Sequence, residues 1–396
     1  MQENKVTLTS ASLLWFGAAI SIAEILTGAF LAPLGLGMGI VAIVAGHAIG
    51  CVLFYLAGLI GARSRAGAMQ SVGISFGRYG SVLFSVLNVL QLVGWTAVMI
   101  FSGADALGTV AQRYLDFDSN WLWCLAIGAL VLVWILAGLR HVGKLNLVAV
   151  GALLVLCVVL GVIVFRGGTP TPLAEKMSFG LALELSIAMP ISWLPLISDY
   201  TKDTDKPRRF TLVSTVSYFA ASSAMYAIGL GAAVFFGTSD IVQILLGAGL
   251  GITAIAIVLL STVTTAFLDV YSAGESMGNI HPRLGGKGMA VLVCVLGTVL
   301  AIVLPVTQYE NFLYLIGSVF VPMASVMIAD YFLNRNTVAR DRLNIANTAV
   351  WAVGFAAYRV LLGVDTILGS TIPVVLLTML LCVAAHQIKK AVTRHV

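Results

Sequence analysis

Stretches of about twenty apolar residues recur from one end of this 396-residue chain to the other, and no other feature restricts its fold so strongly. The hydrocarbon core of a bilayer is about 30 Å thick, and a helix rising about 1.5 Å per residue crosses it in roughly twenty residues. Lipid offers no hydrogen-bond partners, so a lone crossing segment must satisfy its own backbone, which a helix does and a strand does not. The sequence therefore predicts an all-α integral membrane protein with twelve transmembrane helices, at 11–32, 36–60, 81–108, 119–138, 145–165, 179–199, 210–236, 247–273, 287–305, 310–333, 345–363 and 367–388. Composition agrees: 60% of residues are hydrophobic and 10% charged, with a mean hydropathy of +1.02, a balance foreign to soluble domains. No soluble domain fits between the spans, so 1–396 reads as a single transmembrane domain. The first span is longer than a signal-peptide core and has no small-residue cleavage site after it, so it is expected to be retained. Cys51, Cys124, Cys157, Cys294 and Cys382 lie in apolar runs without metal-ligand spacing and read as small buried hydrophobes.

Basic residues set the orientation, because cytoplasmic loops retain Lys and Arg. One side receives Lys5; Arg63, Arg65 and Arg78; Arg140 and Lys144; Lys202, Lys206, Arg208 and Arg209. It continues with Arg283 and Lys287; Arg335, Arg340 and Arg342; and Lys389, Lys390 and Arg394, which makes 18 of the 22 basic residues. Both termini are expected to be cytoplasmic, in a multi-pass protein of the inner membrane. The net charge of +5 is then an orientation signal, and no nucleic-acid partner is implied.

In lipid, a broken helix or an ionised side chain is tolerated only where it faces protein or a water-filled cavity, so the interruptions locate the site. Glu24 stands near the middle of span one, followed by Thr27 and Gly28 and then Pro33, Gly35, Gly37 and Gly39. Such punctuation lets a helix unwind and offer free carbonyls and amides to a small solute. We read Glu24 as facing a ligand; the alternative is a carboxylate hydrogen-bonded to a neighbouring helix. Span six repeats the theme in ELSIAMPISWLPLISDY, where Pro190 and Pro195 remove backbone donors and Ser186 and Ser192 offer hydroxyls. A second broken helix is expected there. Interruptions at matching positions of two halves are the mark of an inverted repeat with a midplane site, here about 11–165 and 179–333, with extra helices at 345–388.

Span three places Gln91 and Trp95 on one helix face, an amide beside a flat ring, suited to a flat heterocycle. Trp193 in span six offers a second ring. Span eight gathers Ser261, Thr262, Thr264, Thr265 and Asp269, where hydroxyls can join span-one carbonyls around an alkali cation. Transmembrane hydroxyls also bond back to their own helix, so that cluster has two readings. Asp105 and Glu184 sit toward the outer ends of their spans, where water contact is easy, and His47 reads as a neutral hydrogen-bonded core residue rather than a proton relay. An enzyme would need a metal constellation, a nucleophile with its base or a cofactor motif, and the chain has none of these patterns. A channel or sensor would show a continuous polar lining, whereas most spans carry one or two polar groups.

Four stretches carry a family likeness: SFGRYGSVL (75–83), QLVGW (91–95), SDYTKDTDKPRRF (198–210) and IGSVFVPMASVMIADYF (316–332). Together with span number and loop polarity, they make the chain resemble the nucleobase:cation symporter-1 family. The acid in span one and the form of span six are most similar to the hydroxymethylpyrimidine permeases of that family, the CytX group. The resemblance implies a LeuT-type fold of two inverted five-helix repeats with helices one and six broken, plus two C-terminal helices. It implies a substrate held among spans one, three, six and eight. Trp95 would stack on the ring, Glu24 and Asp269 would occupy polar contact positions, and the rest of the ligand would meet Gln91, Ser186, Ser192, Met189 or Trp193. A sodium site would correspond to the carbonyls near Ile20 and Ala23 and the hydroxyls near Thr264 and Thr265. Relatives place an aromatic near Met189 and Pro190, where this chain has its nearest aromatic at Trp193.

The expected function is secondary active import of a small pyrimidine by alternating access. Hydroxymethylpyrimidine, a thiamine precursor, is favoured because a carboxylate suits an exocyclic amine, and cytosine or another nucleobase is the alternative. Coupling falls to Na+ or to H+, with Glu24 or Asp269 as the carrier in the latter case. No cofactor and no obligatory protein partner is expected; the partners are the substrate and the lipid bilayer.

Overall fold

The computed structural model describes residues 7–117, 119–137, 139–166, 176–238, 240, 242–243, 246, 251–303, 309–339 and 341–394, with side chains except at 139–149, 252–254 and 393–394. Lys5 and Arg340 fall outside the described residues, and Arg140, Lys144 and Arg394 outside the described side chains. The twelve expected spans are all found as helices.

Span one is two helices, Leu8–Ala19 and Ile22–Phe30. At the break Ile20 leaves helical geometry (φ −86°, ψ 89°), and Ser21 caps the second half by accepting from the Glu24 amide at 3.2 Å. Span two is Gly35–Ser64. Span three belongs to a helix, Ala68–Leu115, that bends at Gly77, and so runs further than the expected 81–108. Gly77 has φ 76°, and a Cβ there would lie 2.7 Å from the Asp341 carbonyl, so both conformation and space call for glycine. Spans four to seven are Asn120–Ala137, Leu139–Arg166, Phe179–Thr201 and Pro207–Phe236. Spans eight to ten are Gly251–Ile280, Lys287–Val303 and Tyr309–Ile328, the last running on through a π turn at Ala329–Leu333. Spans eleven and twelve are Ile345–Leu361 and Thr371–Arg394.

Span six departs from its expected form. It stays one helix, with Pro190 and Pro195 inside it, and is almost wholly buried. The prolines withdraw the donors that would have reached the carbonyls of Ser186 and Ile191, but neighbouring spans enclose the helix on all sides and keep its axis continuous.

The helix pairings come in exchanged couples. The second half of span one packs on span seven as span six packs on span two, and span three packs on nine as span four packs on eight. Exchanging one half of the chain for the other converts each member of a couple into its partner, the pattern an inverted repeat leaves in its packing. Spans one, two, six and seven form one body at very close range: a Cβ at Gly229 would lie 1.8 Å from the Ile25 carbonyl, and one at Gly28 2.2 Å from the Tyr226 carbonyl. Glycine at these two positions brings backbone against backbone, a common way for membrane helices to associate.

Glu184 is 1% exposed rather than water-facing as expected. Its carboxylate accepts from the amides of Ser370 and Thr371 at 2.8 Å each, from the Thr371 hydroxyl at 2.7 Å and from the Tyr358 hydroxyl. An acid of span six therefore caps the first turn of span twelve, where a negative charge is favoured.

Candidate functional site

The structure sets Glu24 against span seven. The side chain is 1% exposed, and its two oxygens face span seven: the Tyr218 hydroxyl donates to Oε1 at 2.9 Å, and Ser222 Oγ lies 2.6 Å from Oε2. Ser222 Oγ also lies 2.6 Å from His47 Nε2 of span two, whose Nδ1 is 2.9 Å from the Ile43 carbonyl. The acid is thus engaged inside the body formed by spans one, two and seven. The alternative weighed from sequence, a carboxylate hydrogen-bonded to a neighbouring helix, is the arrangement found. His47 is the hydrogen-bonded core histidine expected.

Spans three and eight carry three buried polar atoms without a described partner. Gln91 donates its amide to the Ser192 carbonyl of span six at 2.9 Å and to Asn88 Oδ1 at 3.4 Å. That fixes the orientation of the amide, so Gln91 Oε1 must be the acceptor presented to the interior, where it is buried without a partner among the described residues. Asp269 Oδ2 and Thr265 Oγ1, one turn apart on span eight, are likewise buried without a described partner. They are three of thirteen buried side-chain polar atoms without a partner among the described residues. Spans three and eight pack along much of their length, with Thr262 against Gly103.

Trp95 lies four residues beyond Gln91, its ring edge-on to Tyr309 (5.8 Å) and Phe312 (5.5 Å) of span ten. Trp193 is 5.9 Å from Trp15 and 6.5 Å from Tyr218, again edge-on, so it joins an aromatic cluster with spans one and seven. Ser192 contributes its carbonyl to Gln91, while its hydroxyl returns to the Met189 carbonyl at 2.7 Å. Met189 is buried beside it. The Ser186 hydroxyl bonds the Ala182 carbonyl at 2.8 Å and its Cβ abuts Gly46, so it packs against span two.

Of the residues expected around a cation, Ile20 lies in the break of span one and the Ala23 carbonyl accepts from the Thr27 hydroxyl at 2.7 Å. Thr264 bonds back to the carbonyls of Leu260 and Ser261, leaving Thr265 as the open hydroxyl. Both halves of span one touch span eight.

Sequence reasoning missed Asn88, Tyr218, Ser222 and Tyr309. Asn88 donates to Ser276 Oγ at 2.9 Å and to the Pro195 carbonyl at 3.5 Å, and its spacing to Gln91 and Trp95 was the available signal. The hydroxyls of Tyr309 and Thr27 meet at 3.1 Å, joining span ten to span one on the side away from the basic loops. On the basic side, Tyr200 donates to the Leu268 carbonyl at 3.1 Å and Lys202 pairs with Glu275 at 2.6 Å, joining span six to span eight.

A model of the permease family for cytosine/purines, uracil, thiamine and allantoin matches residues 2–384. The chain belongs to this permease family. Cytosine permease of Escherichia coli strain K12 is 28% identical over 312 residues, covering 76% of this chain and 70% of that protein. Hydantoin permease of Microbacterium maritypicum is 25% identical over 366 residues, covering 84% and 74%. Among solved structures, the nucleobase-cation-symport-1 transporter Mhp1, closed with bromovinylhydantoin bound, superposes with a TM-score of 0.82 at 21% identity over 97% of this chain and 92% of that one. A Na+-coupled sialic acid symporter gives 0.68 at 14% identity over 96% and 89%. These likenesses bear out the LeuT-type architecture, and family membership makes the protein a permease rather than an enzyme.

Proposed function

We propose that the protein is a cation-coupled importer of an aminopyrimidine, hydroxymethylpyrimidine before cytosine, working by alternating access across the inner membrane with both termini cytoplasmic. The carrying observation is that Gln91 Oε1 and Asp269 Oδ2, both buried and without described partners, are acceptors. A ligand rich in donors complements them: an exocyclic amine on a ring serves a carboxylate and an amide oxygen better than an imide, which alternates donors with acceptors. Trp95 supplies the flat surface for the ring, and Met189, Trp193 and the Ser192 carbonyl form the span-six wall. Glu24, with its oxygens turned to span seven, holds the body together, and recognition of the amine passes to Asp269.

The coupling ion in this reading is Na+, held by the carbonyls of Ile20 and Ala23 and the hydroxyls of Thr264 and Thr265. The donor set, neutral oxygens around a helix break, suits a hard monovalent cation, and the open Thr265 hydroxyl supports it. A cation does uphill work only if its binding is linked to that of the substrate, and a shared wall between spans one and eight supplies such a link.

The test is uptake of labelled hydroxymethylpyrimidine and cytosine into proteoliposomes, with a sodium gradient and a pH gradient imposed separately. Accumulation under the sodium gradient, with hydroxymethylpyrimidine the better substrate, is expected. Uptake driven by the pH gradient alone refutes the sodium assignment, and preference for an imide such as uracil refutes the amine assignment.

A further inference from the structure

On the basic-face side of the candidate acceptors, one side chain touches all three spans that wall the proposed site. Asn88 of span three is wholly buried, and its Nδ2 donates to Ser276 Oγ of span eight at 2.9 Å and, over a longer 3.5 Å, to the Pro195 carbonyl of span six. Its Oδ1 accepts from Gln91 Nε2 at 3.4 Å. Each partner stands close to a site residue on its own helix: Gln91 is one itself, Pro195 follows Ser192 by about one turn, and Ser276 follows Asp269 by about two turns. Both N–H groups and the oxygen of this amide are thereby used.

The polarity of this array starts from span six. The Pro195 and Ser192 carbonyls can only accept, so they claim the nitrogens of Asn88 and Gln91 and leave Gln91 Oε1 without a described donor. The register of span eight is held in the same place. Spans three and eight pack along much of their length, but apolar contact resists sliding weakly in lipid, where the tails are as apolar as the side chains. Two sets of side-chain hydrogen bonds join them: Asn88 to Ser276, and Asn279 to Ser81 and Ser85 at 2.6 and 2.9 Å. The second set lies nearer the basic loops, and Asn279 bonds neither to Gln91 nor to span six.

We propose that Asn88 is a positioning residue of the site: through Gln91 and Ser276 it sets the spacing of Gln91 Oε1 and Asp269 Oδ2, and with it the order in which ligands are preferred. The inference rests on those two atoms being the substrate's acceptors, as proposed above. A flat heteroaromatic ring holds its polar edges at a fixed separation, so two acceptors discriminate among rings only while their own separation is fixed. Acceptors left loose serve a poor ligand nearly as well as a good one. Discrimination is what disappears, whereas a bond that merely supported the fold would change stability and leave the order alone.

The test is titration calorimetry on the full chain in detergent with hydroxymethylpyrimidine, cytosine, uracil and hydantoin, read beside the thermal midpoint. Asn88→Ala removes all of these bonds at once. Ser276→Ala is the milder second variant: it removes the bond to span eight and leaves Gln91 and Asp269 unaltered. Asn279→Ala breaks the other set of ties between the same spans and serves as the comparison. All three are expected to lower the midpoint, but only the first two to shrink the ratio of best to worst affinity, by roughly 2–10-fold in Ser276→Ala, the worth of one hydrogen bond, and by more in Asn88→Ala. A ratio unchanged in Asn88→Ala and Ser276→Ala, or an equal fall in Asn279→Ala, overturns the positioning role. A parent that binds uracil or hydantoin best refutes the amine reading instead, and the positioning role is then judged on the same ratio, whichever ligand heads it.

Discussion

Ser222 separates the two roles open to Glu24. Its hydroxyl lies 2.6 Å from Glu24 Oε2 and 2.6 Å from His47 Nε2, all three groups buried. Ser222→Ala leaves both partners short of a bond, and a buried polar group so orphaned costs about 1–3 kcal/mol, so the pair loses roughly 2–6 kcal/mol. Glu24→Gln is different. The new amide can donate one N–H to Ser222 Oγ, Ser222 to His47 Nε2, and Tyr218 can still donate to the amide oxygen, so within this cluster only the second amide N–H lacks an acceptor, at about 1–3 kcal/mol. The less conservative-looking change at the acid should therefore be the milder one. Thermal unfolding in detergent, where one kcal/mol moves the midpoint by roughly 2–4 °C for a 150–250-residue chain and by less for a longer one, should show Ser222→Ala several degrees below Glu24→Gln. Hydroxymethylpyrimidine should stabilise the glutamine variant nearly as well as the parent. An unchanged midpoint with ligand stabilisation abolished in Glu24→Gln would show that the acid meets the ligand directly, and the reasoning would fail.

Asp269→Asn should weaken aminopyrimidine binding by roughly 5–100-fold, from the 1–3 kcal/mol carried by a bond to a charged acceptor, with little change in thermal midpoint; titration calorimetry would check it. Gly229→Ala should abolish a monodisperse folded species in size-exclusion chromatography, because its Cβ would fall 1.8 Å from the Ile25 carbonyl and backbone cannot yield as a side chain can. Breaking the Lys202–Glu275 pair with Glu275→Gln should favour opening toward the basic face, read as faster thiol labelling of a cysteine placed at Gly67; the reversed pair, Lys202→Glu with Glu275→Lys, should restore the parental rate. Thr265→Val should remove sodium dependence from uptake while leaving sodium-free substrate binding intact, and a sodium response surviving in that variant would argue against this hydroxyl as a ligand.

Much of the architecture was legible because lipid allows few solutions: each of the twelve apolar runs of spanning length proved helical, and span one does break, though at Ile20–Ser21, upstream of the Glu24 to Gly39 punctuation read as its cause. What periodicity did not carry was direction. Glu24 is buried among the spans, but whether it faces span three or span seven depends on how span one rotates about its axis. That rotation is set by Gly28 and Gly229, two hundred residues apart in sequence, and they turn the acid toward Tyr218 and Ser222. The prolines of span six signalled a break because an isolated helix would bend there; enclosure by other spans kept it whole. Ser186 and Ser192 read as free hydroxyls, and both returned to their own helix, as buried hydroxyls without a better offer do. Gln91 and Trp95 share one face of span three, as their four-residue spacing requires.

The capping of span twelve by Glu184 ties assembly to the far end of the chain. Until the last forty residues have entered the bilayer, span six holds an acid deep among apolar neighbours with none of its eventual donors in place. A chain truncated after span ten would keep both repeats and still lack the groups that make this carboxylate tolerable. The final two helices, which an inverted repeat does not require, thereby become a condition for the first helix of the second half to settle.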